Sequence, residues 1–186
     1  MQYFNFHKAK RRQKGFTIIE AVVSAGVFAF IVSSILGVYM ATIQLDSKTR
    51  AERAVQQNAR FIMDFLSKEI RNGSINYTLV NDADSLNLIN QLDEEELIQW
   101  DGSSNLVLTK TGLGSTQLNS NGVRITNFAF YTAPTRNPFI LANDVHVQPH
   151  VTIVMRLEYE STNRQADNAY MDIQSTFTVR DYPSRL

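Results

Sequence analysis

The chain of 186 residues contains no cysteine. That absence removes disulfides, thiolate nucleophiles and cysteine-based zinc sites. An exported domain must then rely on its core, and about 110 residues are enough to build one. Histidine occurs only three times. His7 lies in the amino-terminal stretch, and His146 and His150 stand four apart with Pro149 between them. Proline argues against the helix on which that spacing would make a metal pair. No Gly-rich phosphate loop or nucleophile motif occurs. The sequence therefore offers no catalytic residue, no cofactor site and no metal site, and reads as a non-enzyme.

Acidic residues are missing from one place. Residues 1–15 hold Lys8, Lys10, Arg11, Arg12 and Lys14 and no acid. After Gly15, thirteen basic residues face all eighteen acidic ones, a net of −5 hidden inside a formal total of zero. A basic head on an acidic body orients a membrane segment with its basic flank in the cytoplasm and its body outside. Charge is nearly absent from Phe16 to Leu45, where Glu20 is alone among Ile, Val, Phe, Ala, Leu and small polar residues. These thirty residues would make roughly 45 Å of helix, more than the ~30 Å hydrocarbon core requires.

A secretory signal peptide cut at Val23-Ser24-Ala25 would have an apolar region of only eight residues, Phe16 to Val23, with an acid inside it. The apolar character also continues far past that site, unlike a signal peptide. A plain signal anchor explains the length and the basic flank but not Glu20. An acid in a membrane helix costs on the order of 2.5 to 3.5 kcal/mol at the centre, less near an end, and asks for a partner. A cut between Gly15 and Phe16 would create one. The new α-amino group, with an ordinary pKa of roughly 7.7 to 8, is a cation on the same helix. In a bundle of such helices, the carboxylate of one chain meets the amine of its neighbour and sets the axial stagger.

Lys14-Gly15-Phe16-Thr17-Ile18-Ile19-Glu20, followed by Ala21-Val22-Val23 and a long apolar run, resembles the amino-terminal signature of type IV pilins and of the pseudopilins of type II secretion. The resemblance implies that a prepilin peptidase cleaves between Gly15 and Phe16 and methylates the new amino terminus at Phe16. It also implies that Glu20 docks subunits into a filament. The implied partners are that peptidase, other pilin or pseudopilin subunits, an inner-membrane assembly platform and membrane lipid. The implied location is the cell membrane, single-pass with the head outside, and then an extracytoplasmic filament. Where many major pilins carry a helix-breaking proline in the apolar stretch, this chain has Gly26 and Gly37, which weaken a helix by ~1 kcal/mol each relative to alanine.

Past Leu45 the pattern becomes amphipathic. Ala51, Val55, Ala59, Ile62, Leu66 and Ile70 recur at steps of three or four, the period of one helical face. Phe61 and Phe65 are expected to widen that face and join the core. Arg60, Asp64 and Lys68 suit weak intrahelical pairs on another face, and Asn72-Gly73 marks a stop. One helix from Phe16 to about Arg71 follows, since neither proline nor glycine interrupts residues 38–71.

The rest reads as β-rich. "SINYTLVN" alternates from Ile75, "ELIQWDGSSNLVLTK" makes two strands around an Asp-Gly turn, and "SNGVRITNFAFYT" follows an Asn-Gly turn. Val151, Ile153, Met155, Leu157 and Tyr159 alternate, as do Met171, Ile173, Ser175, Phe177 and Val179, with "ESTNRQADN" as their hairpin connection. One face of an antiparallel sheet is expected to cover the helix. The strands together with the closing "STFTVRDY" resemble J-type minor pseudopilins and W-type minor pilins.

The expected fold is α+β and pilin-like, divided into a leader (1–15), a transmembrane and assembly half-helix (16–45), an amphipathic half-helix (46–72) and a β-rich head (73–186). Asp93-Glu94-Glu95-Glu96, with Asp82 and Asp84 upstream, does not follow the order of an EF-hand and is expected to be a solvated acidic turn. An acidic body without clustered Lys, Arg and aromatics argues against direct nucleic-acid binding. Arg156, Arg164, Arg180 and Arg185 are expected to dress strand ends. The functional expectation is a minor pilin or minor pseudopilin. A major pilin, or a monomeric signal-anchored protein with an exported ligand-binding β domain, is the alternative.

Overall fold

The computed structural model describes residues 15–140, 147–161 and 165–180. The leader residues up to Lys14, His146, Arg164 and Arg185 lie outside them. A single helix, α1, runs from Ile18 to Asn72. The chain divides into two compact units, Met1–Ile43 and Gln44–Leu186.

In the first unit, α1 presents its apolar side chains outward, and the most apolar 18-residue window has none of its residues buried. Phe28, Phe30, Ile35 and Val38 are all exposed. Among the described residues, α1 is the one helix long and apolar enough to cross a membrane.

In the second unit, the same helix is amphipathic, and its buried residues are Ala51, Val55, Ala59, Ile62, Leu66 and Ile70. These are the six positions that the three-and-four spacing selects. Phe61 departs from expectation. It is 55% exposed, whereas Phe65 is half-buried beside the core. The apolar stripe covered by the sheets is narrow, and Phe61 falls outside it. The expected pairing of Arg60, Asp64 and Lys68 is also absent among the described residues, where the intrahelical ion pair is Asp46 with Arg50 at 2.6 Å.

Two antiparallel sheets, rather than one, complete this unit. The first is a meander of β1 (Ser74–Ile75), β2 (Ser85–Ile89), β3 (Glu95–Trp100), β4 (Leu106–Lys110) and β5 (Gly114–Gln117) in chain order. The second contains β6 (Val123–Ala133), β7 (His150–Tyr159) and β8 (Ala169–Thr178). The sheets stay separate because β6 does not form a ladder with the first sheet. It is tied to that sheet at isolated points: Ile125 N–H donates to the Ser104 carbonyl at 2.9 Å, and Phe130 N–H to the Ala83 carbonyl at 2.7 Å. The Trp100 indole N–H donates to the Ile125 carbonyl at 3.1 Å. A register shift between Ile125 and Asn127 bends β6 at the same place. Leu86, Leu88 and Ile98 from the first sheet and Ile125, Ile153 and Leu157 from the second join the helix in one core.

The long strand expected from Ile75 ends almost at once. Asn76 Oδ1 accepts from the Thr78 N–H at 3.0 Å, a side-chain turn that pulls the chain out of the sheet. The pairing strand is instead Ser85–Ile89, which contributes only Leu86 and Leu88 to the core. The two strands around Asp101-Gly102 form as expected. Asp101 Oδ1 accepts from the backbone N–H groups of Ser103, Ser104 and Asn105 at 2.8, 2.7 and 2.9 Å. Burial works to raise this carboxyl's pKa, but those bonds outweigh it and hold the group well below the usual carboxylate range.

Arg156 is corrected too. It sits inside β7 rather than at a strand end, gripping Asp172 of β8 through two bonds of 2.6 and 2.7 Å. Arg180, just past β8, donates its backbone N–H to the Arg71 carbonyl at 3.3 Å. The result is an α+β, pilin-like arrangement of one long amino-terminal helix and antiparallel sheets.

Candidate assembly site

Gly15, Phe16 and Thr17 precede the first turn of α1, and Phe16 is 71% exposed. Thr17 caps the helix. Its Oγ1 accepts the Glu20 N–H at 3.3 Å, and its carbonyl accepts the Ala21 N–H at 3.1 Å. Thr17 and Glu20 thus hold the first and last places of the Thr-x-x-Glu capping pattern. Glu20 lies in the first turn, where the helix dipole favours an anion. Sequence reasoning passed over Thr17, although the four-residue spacing of that pattern was there to be read.

Three hydroxyls of the apolar run are satisfied by the helix itself. Ser33 donates to the Ala29 carbonyl at 2.8 Å, Ser34 to Phe30 at 2.9 Å and Thr42 to Val38 at 2.9 Å. Bonds to the carbonyl four residues back remove most of the penalty for placing a hydroxyl in lipid. Glu20 differs. Its side chain has no ion pair or hydrogen bond to any described residue, and it is exposed. The structure therefore places Gly15, Phe16 and Glu20 together at one end of an exposed apolar helix.

Three acids of the 93–96 run, Glu94, Glu95 and Glu96, have partners from the protein itself. Glu96 is buried, not solvated, and its carboxylate takes the Lys110 ammonium at 2.7 Å and the Asn90 amide at 3.0 Å. Asn90 also donates to Glu94 at 3.0 Å, and Asn76 to Glu95 at 3.3 Å. Nearby Glu69 has its pKa raised, first by burial and then by the Glu96 charge. Among the described residues, no group of three or more His, Asp or Glu is arranged to hold a metal. His150 opens β7, and His146 is outside the described residues.

A cleft of about 510 Å³ lies between residues 77–83 and the end of β6. Burial pushes the Tyr77 phenol in its wall up to about 12. The Tyr77 hydroxyl is buried without a hydrogen-bond partner among the described residues.

Residues 10–36 match the family model described as the prokaryotic N-terminal methylation motif. The match spans Gly15, Phe16, Thr17 and Glu20 and the first part of α1. Proteins with this motif are substrates of prepilin peptidase that assemble with other pilins, and the match supports a pilin or pseudopilin relationship for this chain. No curated protein and no solved structure matches it.

Proposed function

We propose that this chain is a minor subunit of a type IV pilus-like or type II secretion filament. It is cut between Gly15 and Phe16 by prepilin peptidase, methylated at Phe16, and held in the membrane by α1 with its head outside until the assembly platform adds it to the filament. Apolar helix surfaces supply lateral association, and Glu20 supplies register by meeting the amino terminus of a neighbouring Phe16.

The observation that carries this reading is the coincidence of two features. The methylation motif covers residues 10–36, and the helix beginning inside it has an exposed apolar surface in which Ser33, Ser34 and Thr42 are internally satisfied while the Glu20 carboxylate has no partner among the described residues. A contiguous apolar surface of that extent marks a membrane or protein contact. An acid at its edge with no partner among the described residues calls for a cation, and cleavage after Gly15 makes one.

Mass spectrometry of the membrane-extracted protein tests the proposal. A mature chain that starts at N-methylated Phe16 is expected. An intact Met1, or a start at Gly26, returns the chain to an ordinary signal-anchored or secreted protein. Glu20→Ala should leave processing intact and impair incorporation into filaments.

A further inference from the structure

We propose that the outward face of α1 around Phe61 is a socket for the β2–β3 turn of a second copy of this chain, displaced along the helix axis. The proposal rests on the filament reading above and adds a contact between heads to it.

The socket lies opposite the buried stripe. Arg53, Gln57, Arg60, Phe61 and Asp64 line a shallow cavity of about 350 Å³ on this exposed face. Phe61 is 55% exposed and stacks against Phe65 at 6.4 Å. A large aromatic surface is thus held in place, and two guanidiniums and one carboxylate flank it. Aromatic and arginine side chains together are the composition of interface centres.

The same chain carries a complementary knob. The turn from Asn90 to Glu94 is locked by the Asn90 side chain, whose Oδ1 accepts the N–H groups of Leu92 at 2.8 Å and Glu94 at 3.0 Å. Asp93 takes a left-handed backbone, φ 58°. At its tip Leu92 is 77% exposed, an aliphatic side chain followed by Asp93, Glu94 and Glu95. An apolar tip with acids fits an aromatic floor with arginines. Such charge matching chiefly sets partner choice and register.

The knob cannot fill its own chain's socket by a small shift. Leu92 shares a polar cavity with Lys68, Glu69 and Asn72, which lie about nine residues, or ~14 Å, beyond Phe61 along the helix. A parallel neighbour must therefore slide by about that distance to present its turn to Phe61. The two surfaces differ, so the contact is heterologous: one copy offers its turn and the other its socket.

Because the chain has no cysteine, a disulfide trap is clean. Phe61→Cys and Leu92→Cys are placed on separate, differently tagged full-length chains, co-expressed in the native membrane and mildly oxidised. Both positions are exposed, so both variants should fold. The expected result is a mixed dimer, bridged from position 61 of one chain to position 92 of the other, in several-fold excess over either like pair. Added Arg53→Gln and Arg60→Gln, or Asp93→Asn and Glu94→Gln, should lower its yield several-fold. A trap that yields only like pairs, no dimer, or a disulfide to some other protein overturns the proposal. The amino terminus of the same sample, N-methylated Phe16 or not, then tells whether the filament reading falls with it.

Discussion

The ammonium of Lys110 stands 2.7 Å from the carboxylate of Glu96, directly across the β3–β4 ladder. The carboxylate side is 1% exposed and the lysine 29%. The pair is therefore buried at one end and wet at the other, and the lysine relieves a charge that water cannot reach. The hydrogen bond to Glu96 raises the Lys110 pKa against the opposing effect of burial.

Lys110→Met should accordingly destabilise the second unit by about 2 kcal/mol, since it strands a buried acceptor whose partner was only partly desolvated. The double change Glu96→Leu with Lys110→Met should recover much of the loss. Urea unfolding followed by tryptophan fluorescence reads both, and Trp100, the sole tryptophan, sits on β3. A single change without effect would mean that the Asn90 bond alone suffices for Glu96.

Glu69 should make stability depend on pH in the opposite sense to a salt-bridged acid. Its folded pKa is raised above the ordinary value of 4.5, by burial first and then by Glu96. Protonation is thus easier in the folded state. The stabilising contribution is present below about pH 4.5 and is lost as pH rises through the higher folded value. Glu69→Gln should raise the denaturation midpoint at pH 7 and bring little gain at pH 4. An equal gain at both values would show that the charge is not the cause.

Gly73→Ala should weaken the join between α1 and β2. A Cβ at that position would stand 2.8 Å from the Ile89 carbonyl oxygen and 3.0 Å from that of Glu69. Both are backbone atoms, so relief requires moving the strand from the helix. The expected loss is on the order of 1 to 3 kcal/mol, as for other overpacked sites, and thermal unfolding measures it.

Much of the helix was legible because its period is a local property. The steps from Ala51 to Ile70 name every buried residue of α1 without reference to anything else. The width of the buried stripe was not legible, since it depends on what packs there, and Phe61 fell outside it for that reason. The burial of Glu96 follows from a cross-strand register that brings Lys110 opposite, which is set by the turns rather than by either residue. The strand at Ser85 was hidden among asparagines. Asn81 and Asn87 spend themselves on the loop that positions it, with the Asn81 Oδ1 accepting the Asn87 N–H at 2.7 Å. At the candidate site, Gly15, Phe16 and Glu20 stood out as residue types at a spacing. The cap by Thr17 was equally local and was overshadowed by the acid it holds.

The inward-turned hydroxyls of Ser33, Ser34 and Thr42 carry one more consequence. A helix with these hydroxyls already occupied greets acyl chains and sister rods with nearly equal indifference, because hydrocarbon tails are as greasy as leucine. In the proposed pathway, subunits can wait in the bilayer as a reservoir and leave it at little cost. The choice between waiting and joining then rests on a solitary negative charge near the tip.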